Sequence, residues 1–228
     1  MSPNIHAHNK EVTIMAYKKS NDIRIDTKKL HPWLQYKLQK WIKECNKQGY
    51  YVALTQGLRT VAEQDELYAQ GRTTKGNIVT YAKGSDYQSQ HQWGIAVDFG
   101  CPATSNKEFY NASRMTKMAQ IAKSLGLAWG GDWTSPVDNP HLYLPKWGDT
   151  TVKLKKKFKT LERFKKYWKR KVKAKSRLYA TDKMNKKDIK KWIKKDTTVT
   201  VLWYKGLKAK VKCGNTVGYM YRSRFKKI

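Results

Sequence analysis

From Thr151 to Ile228 the chain carries 29 Lys and Arg against 4 Asp and Glu, a net of +25, whereas residues 1–150 hold 19 basic and 13 acidic residues and a net of only +6. Charges at that density are too costly to bury unpaired, so the last third must turn its lysines outward and build any core from the apolar residues between them. The asymmetry therefore divides the chain into a folded, evenly charged unit and an anion-seeking one. Nucleic acid, anionic lipid and the anionic polymers of a bacterial cell wall are all candidate anions. Charge alone does not choose among them.

The 228 residues suffice for one sizeable core and a small second module, and 39% hydrophobic with 12% aromatic residues is a globular composition. No apolar run is long enough to span a bilayer. The opening stretch "MSPNIHAHNKEVTIMAYKKSNDIRID" lacks the apolar centre of a secretory signal. Synthesis in the cytoplasm without a signal peptide is the expectation. Cys45, Cys101 and Cys213 are odd in number and far apart, which suggests neither a disulfide framework nor a CxxC metal motif.

Residues 1–22 read as a polar leader, with Met15 as an alternative start and His6 and His8 solvated. "HPWLQYKLQKWIKECNKQG" repeats Leu34, Leu38, Trp41 and Ile42 at helical spacing and stops at a glycine, with His31 packing where the helix begins. "YYVALTQGLRT" predicts a strand ending near Gly57, "VAEQDELYAQG" a second helix and "RMTKMAQIAKSLGL" a third. After "PKWGDT" a lysine run with Leu154, Phe158, Leu161, Phe164, Tyr167 and Trp168 predicts a basic linker or an amphipathic helix over 151–174, the latter with membrane activity as an added possibility. Short, glycine-punctuated, aromatic-rich pieces from about Lys175 onward predict a small β barrel over 175–228. The folded unit spans 23–150.

"SQHQWGIAVDFG", Ser89 to Gly100, sets His91 and Asp98 seven residues apart among small and apolar neighbours. A structural hydrogen bond would explain an isolated pair of this kind. A metal site would explain it too, given a third ligand, and His141 in "DNPH" supplies one. Two imidazoles and a carboxylate, with a fourth position left to water, are a ligand set of catalytic zinc. Asp138, three residues before His141, is a candidate general base unless it only caps a turn before Pro140. Arg59 is a candidate oxyanion donor unless it merely pairs with a structural carboxylate. Trp93, Trp129 and Trp133 read as walls of the fold, and Gln64 and Asp65 as helix-surface or supporting residues.

The stretch "SQHQWGIAVDF" resembles the SxHxxGxAxD signature of zinc peptidases that include D-alanyl-D-alanine carboxypeptidases and dipeptidases and L-alanyl-D-glutamate endopeptidases. "QGLRT", "EQDELYAQGRT" and "WGGDWTSPVDNPH" stand in the same order as in that family, so the resemblance covers roughly Leu30 to Leu144. It implies His91, Asp98 and His141 as Zn2+ ligands, Asp138 as base, Arg59 as clamp on substrate and oxyanion, and Ser89 as a substrate contact, although Ser89 could equally orient the His91 loop. It implies an α+β fold: a small antiparallel sheet with flanking helices carrying the zinc site. The carboxypeptidases and dipeptidases generally place a glutamate base in ExxH. The Asp-x-Pro-His here is more like phage endolysins and autolysins that cut between L-alanine and D-glutamate. The ending "VGYMYRSRFKKI" resembles the last strand of bacterial SH3-like wall-binding domains, with Trp203, Tyr204, Tyr219 and Tyr221 offering apolar faces to peptide or glycan unless, as for about half of them, they form the barrel core.

These resemblances predict a monomeric endolysin, made in a host cytoplasm and acting on the peptidoglycan of the bacterial cell wall. Its basic region is expected to attract teichoic acid or another wall polyanion, with no specific nucleic acid as partner. A D-alanyl-D-alanine carboxypeptidase is the alternative enzyme. A nucleic-acid-binding protein would account for the +25 but leave the metal constellation unexplained.

Overall fold

The computed structural model describes residues 17–226. Pro32, suited to a first helical position because its missing N–H would find no partner there, opens the long helix α1 (Pro32–Lys47). The His31 ring accepts the Trp33 N–H through Nδ1 at 3.1 Å and so caps the helix. Leu34, Leu38, Trp41 and Cys45 form the buried stripe of α1, and Trp41 Nε1 donates to the Met118 carbonyl at 2.7 Å. Ile42 is only partly buried.

A five-stranded sheet lies against this helix. Its strands are β1 (Asp22–Ile23), β2 (Ala53–Gln56), β3 (Ala96–Gly100), β4 (Ala128–Trp129) and β5 (His141–Tyr143), in the order β1-β2-β3-β5-β4. The expectation of an antiparallel sheet fails at one edge, where β1 runs parallel to β2. The chain returns through α1 between them, and such a crossover delivers the second strand in the same direction as the first. The remaining pairs are antiparallel. Helices α2 (Val61–Ala69), α3 (Asn106–Phe109) and α4 (Ala112–Ser124) complete this part, with Met115, Met118 and Ala122 of α4 in the core it shares with α1.

The expected leader lies mostly on residues 1–16, outside the described residues, as do His6, His8 and Met15. Its remainder, residues 17–22, is tied to the folded unit. Tyr17 bridges Ala103, the Lys18 N–H donates to the Pro102 carbonyl at 2.8 Å, and Asp22 begins β1.

The lysine run takes the helical of its two expected forms, but as two short helices packed on a core. It forms two short helices, α5 (Val152–Phe158) and α6 (Leu161–Lys166), split where Lys159 takes a left-handed φ of 67° and capped anew by Thr160, whose hydroxyl accepts the Arg163 N–H. Leu154, Phe158, Phe164 and Trp168 are buried in the same core as Leu30, Trp93 and Ile95. Residue 150 is therefore no boundary between cores. These apolar side chains face inward, which corrects both the linker and the membrane-facing readings of 151–174. Each buried side chain of this size contributes about 1.5–3 kcal/mol.

The rest of the chain is a six-stranded antiparallel sheet: β6 (Lys169–Lys171), β7 (Ser176–Tyr179), β8 (Ile189–Ile193), β9 (Thr198–Lys205), β10 (Lys208–Cys213) and β11 (Thr216–Tyr221), in the order β6-β9-β10-β11-β7-β8. Val172, Leu178, Val199, Val211 and Met220 lie at the centre of its separate core. One face meets α1. Trp203 stacks on Trp33 with centroids 6.1 Å apart, and Lys210 Nζ donates to the Tyr36 hydroxyl at 3.1 Å. Trp203 thus packs against α1 and is not free to face a ligand.

Candidate metal centre

His91 sits on a single 3-10 turn, Gln90–Trp93, that is tied at both ends. The Ser89 hydroxyl accepts the His91 N–H at 3.3 Å, the Gln92 carboxamide oxygen accepts the Ser89 N–H at 3.2 Å, and Gly94 closes the turn at φ 62°, a conformation costly to most residues but not to glycine. Asp98 and His141 are direct partners in the β3–β5 ladder, so the sheet register alone sets their side chains face to face. Gly130 makes room for the loop before His141. A Cβ there would stand 2.5 Å from the Asp138 carbonyl and 3.0 Å from the His141 Cβ.

The three side chains converge. His91 Nε2, His141 Nδ1 and Asp98 Oδ1 form a triangle with every side 3.2 Å. The outer ring nitrogens fix where the protons are. His91 Nδ1 lies 2.9 Å from the Gly57 carbonyl at the end of β2, an atom that can only accept. His141 Nε2 lies 2.7 Å from Gln90 Oε1, and the same Gln90 amide donates through Nε2 to the Asp149 carbonyl at 3.1 Å, which fixes its orientation. Both imidazoles therefore keep their proton on the outside when neutral and point a bare lone pair inward, towards a carboxylate oxygen. Three acceptors facing one another without a proton between them repel, unless a cation lies among them.

The triangle suits zinc. Ligands about 2.0–2.1 Å from a tetrahedral ion stand about 3.3–3.4 Å apart, close to the 3.2 Å found. Donor chemistry agrees, and outer partners that hold each ring by its other nitrogen are the usual support of such ligands. Burial alone would raise the Asp98 carboxyl, but positive charge beside it, which without a metal protonated imidazoles supply, lowers it well below the usual carboxylate range. A cation at the same point would act with the same sign.

Arg59 lies between β2 and α2, with its N–H on the His91 carbonyl at 3.3 Å. Its guanidinium is aimed by two partners: Nη1 donates to Gln64 Oε1 at 2.7 Å, and Nη2 stands 3.6 Å from Asp98 Oδ2. Its Nε is buried without a partner among the described residues. Asp138 Oδ2 is 3.9 Å from His141 Nδ1, and the side chain is 43% exposed, so it stands at the rim with an oxygen open to solvent. Burial of its inner part raises its pKa against the opposing pull of His141. The Trp133 ring tilts over His141 at 5.1 Å, and its Nε1 donates to the Tyr143 hydroxyl, which in turn donates to Asp149 at 2.5 Å.

The structure thus brings His91, Asp98, His141, Arg59 and Asp138 to one place. Ser89 is buried beneath His91, where its oxygen orients the loop. Sequence reasoning missed Gln90, although a carboxamide one residue from a ligand in so apolar a stretch was a usable signal. Of the two readings open for Gln64, helix surface or supporting group, the structure shows the second, since Gln64 is fully buried on Arg59.

A family profile described as D-alanyl-D-alanine carboxypeptidase matches residues 83–144. The peptidoglycan L-alanyl-D-glutamate endopeptidase CwlK of Bacillus subtilis (strain 168) is 39% identical over 122 residues, half of this chain and 72% of the relative. The L-alanyl-D-glutamate peptidase of Listeria phage A118 is 42% identical over 57 residues, 24% of this chain and 20% of the relative. Among solved structures, the Serratia marcescens L-Ala D-Glu endopeptidase ChiX aligns with 20% identity and a TM-score of 0.39, covering 52% of this chain and 82% of that one.

Proposed function

The chain belongs to the D-alanyl-D-alanine carboxypeptidase family of peptidases, M15, and from that premise we propose that it is a zinc-dependent peptidoglycan hydrolase cutting the L-alanyl-D-glutamate bond of the stem peptide. The observation that carries the zinc chemistry is the 3.2 Å triangle of inward lone pairs on His91, Asp98 and His141. Zinc held there would act as a Lewis acid and lower the pKa of a water from ~15.7 towards ~7. Asp138, at the rim with a raised pKa, takes the proton of the attacking water and returns it to the leaving amine. Arg59, aimed by Gln64, donates to the scissile carbonyl oxygen as negative charge develops on it. Ser89 holds His91 in place, and its hydroxyl is a candidate donor to substrate.

The specificity for this bond draws on the named activity of the Bacillus subtilis relative and on the Asp-x-Pro-His sequence. The second reading, removal of a terminal D-alanine, draws on the description of the matching family. The β6–β11 sheet is read as an SH3-like wall-binding module, supported by its antiparallel order, its own core and its charge. Wall polyanions are its proposed partners. No described helix is long and apolar enough to cross a membrane.

Mass spectrometry of fragments released from purified peptidoglycan, alongside metal analysis, tests the proposal. About one zinc per chain and new N-terminal D-glutamate are expected. Release of D-alanine alone would select the carboxypeptidase, and full activity after complete metal removal would overturn the mechanism.

A further inference from the structure

Between α1 and the β9–β10–β11 meander, with α6 closing one side, lies an open groove of about 1060 Å³. Lys28, Lys29, Lys165, Lys166, Lys169 and Lys212 line it against a single carboxylate, Glu162, which pairs with Lys165 at 3.0 Å. The other five have no carboxylate partner among the described residues. They come from the turn before α1, from α6, from β6 and from β10, so neither part of the chain holds the set alone. Bringing so many cations around one concavity is unfavourable unless something anionic occupies it.

We propose that this groove binds a polyol chain linked by phosphodiesters, the chemistry of an anionic cell-wall polymer, and that both modules build the site. The inference rests on reading the chain as a wall hydrolase. Lysines spread over four elements fit a repeated charge better than one phosphate. Gln39, Thr198 and Asn215 also line the groove and supply amides and a hydroxyl suited to polyol hydroxyls. A single-stranded nucleic acid would need open aromatic faces for its bases. The groove offers few, since Trp168 is 9% exposed and Tyr36 is stacked on Trp33 and bonded to Lys210. A duplex needs only its phosphates bound and is told apart by the competition below. The groove also gives α6 two roles. Phe164 packs inward on Trp93, two residues from His91, while Lys165 and Lys166 face the groove, so a bound polymer would lie beside the catalytic module.

The test compares two full-length, zinc-loaded variants with the same change in net charge. One carries Lys29→Glu, Lys166→Glu and Lys212→Glu in the groove, and the other Lys183→Glu, Lys187→Glu and Lys194→Glu, exposed positions outside it. Each is sedimented with intact walls and with walls stripped of phosphodiester polymers. Soluble poly(glycerol phosphate) and duplex DNA serve as competitors. The groove variant should bind intact walls at least about tenfold more weakly than the wild type, and the outside variant within about threefold. Stripped walls should bring the wild type down to the level of the groove variant. Equal losses in the two variants, undiminished wild-type binding to stripped walls, or stronger competition by DNA than by poly(glycerol phosphate) would each overturn the assignment. All three proteins should cleave a soluble stem peptide alike. If none does, the peptidase reading fails, while sedimentation still decides the groove.

Discussion

At the candidate metal centre three lone pairs stand within 3.2 Å of one another, and carbonyl or carboxamide oxygens hold the rings that carry two of them from outside. In the β6–β11 sheet polar groups are used the opposite way. Most of its described lysines face solvent, Lys226 alone among them pairs with a carboxylate, and its core is a plain apolar cluster. The first region concentrates a few polar atoms at one point and fixes each, so single changes there should be severe. The second distributes many weak attractions, so it should tolerate single changes and respond to ionic strength.

The sharpest break between the two regions is a cut in the chain. Ending the protein at residue 150 removes Leu154, Phe158, Phe164 and Trp168 from the first core. At about 1.5–3 kcal/mol for each side chain, that approaches or exceeds the whole stability of a domain. This truncation should fail to fold, as circular dichroism would show. Ending after Trp168 should leave a folded enzyme that still cuts soluble peptide, although it exposes Trp33 and Tyr36. A folded, active 1–150 fragment would mean that the buried aromatics of α5 and α6 are dispensable.

Next in size is His141→Ala. Removing one ligand should abolish tight zinc binding and reduce peptide cleavage to background, while sedimentation with walls persists because the groove lysines are untouched. Joint loss of wall binding would refute the independence of the two regions.

Asp138→Asn keeps the shape of the side chain but cannot take a proton, so kcat should fall by ~10²–10⁴ with zinc content unchanged. A fall of under about threefold would move the base role to another group. Gln90→Ala is the milder test of the outer contacts. It frees the His141 ring from the carboxamide that orients it, and zinc affinity should fall about 10–100-fold, measured by competition with a chelator.

The smallest effect concerns salt. Attraction between exposed charges is screened over ~8 Å at physiological ionic strength. Raising salt should therefore weaken the full-length enzyme on cells more than the form ending after Trp168, and leave both nearly unchanged on soluble peptide. Parallel salt titrations of the two forms on cells and on peptide would show it. An equal decline of both forms on cells would remove the basic module from the binding step.

The ligands were legible because they are local. His91 and Asp98 belong to one continuous stretch, and the Asp-x-Pro-His loop carries the third ligand beside its base. The first helices were legible for the same reason, since Leu34, Leu38 and Trp41 recur at the period of one turned face. Gln64 was not, because its role depends on Arg59 lying across from it, and a glutamine on a helix reads the same whether it faces solvent or a guanidinium.

The amino-acid sequence by itself determined the donor set, the order of the elements and the division of charge, since each depends on residue identity and near-neighbour spacing. Tertiary structure alone decided which face of the lysine run is inside. Leu154, Phe158, Phe164 and Trp168 have the same spacing on a free amphipathic helix as on two short helices packed against a core, and their burial depends on Leu30, His31 and Trp93, more than sixty residues away. The ring protons follow the same logic: Gly57 and Gln90 fix them only because β2 and the 3-10 turn meet across the sheet. The groove, too, exists only once α1 and α6 stand opposite β9, β10 and β11, because no single segment holds enough of its lysines to form it.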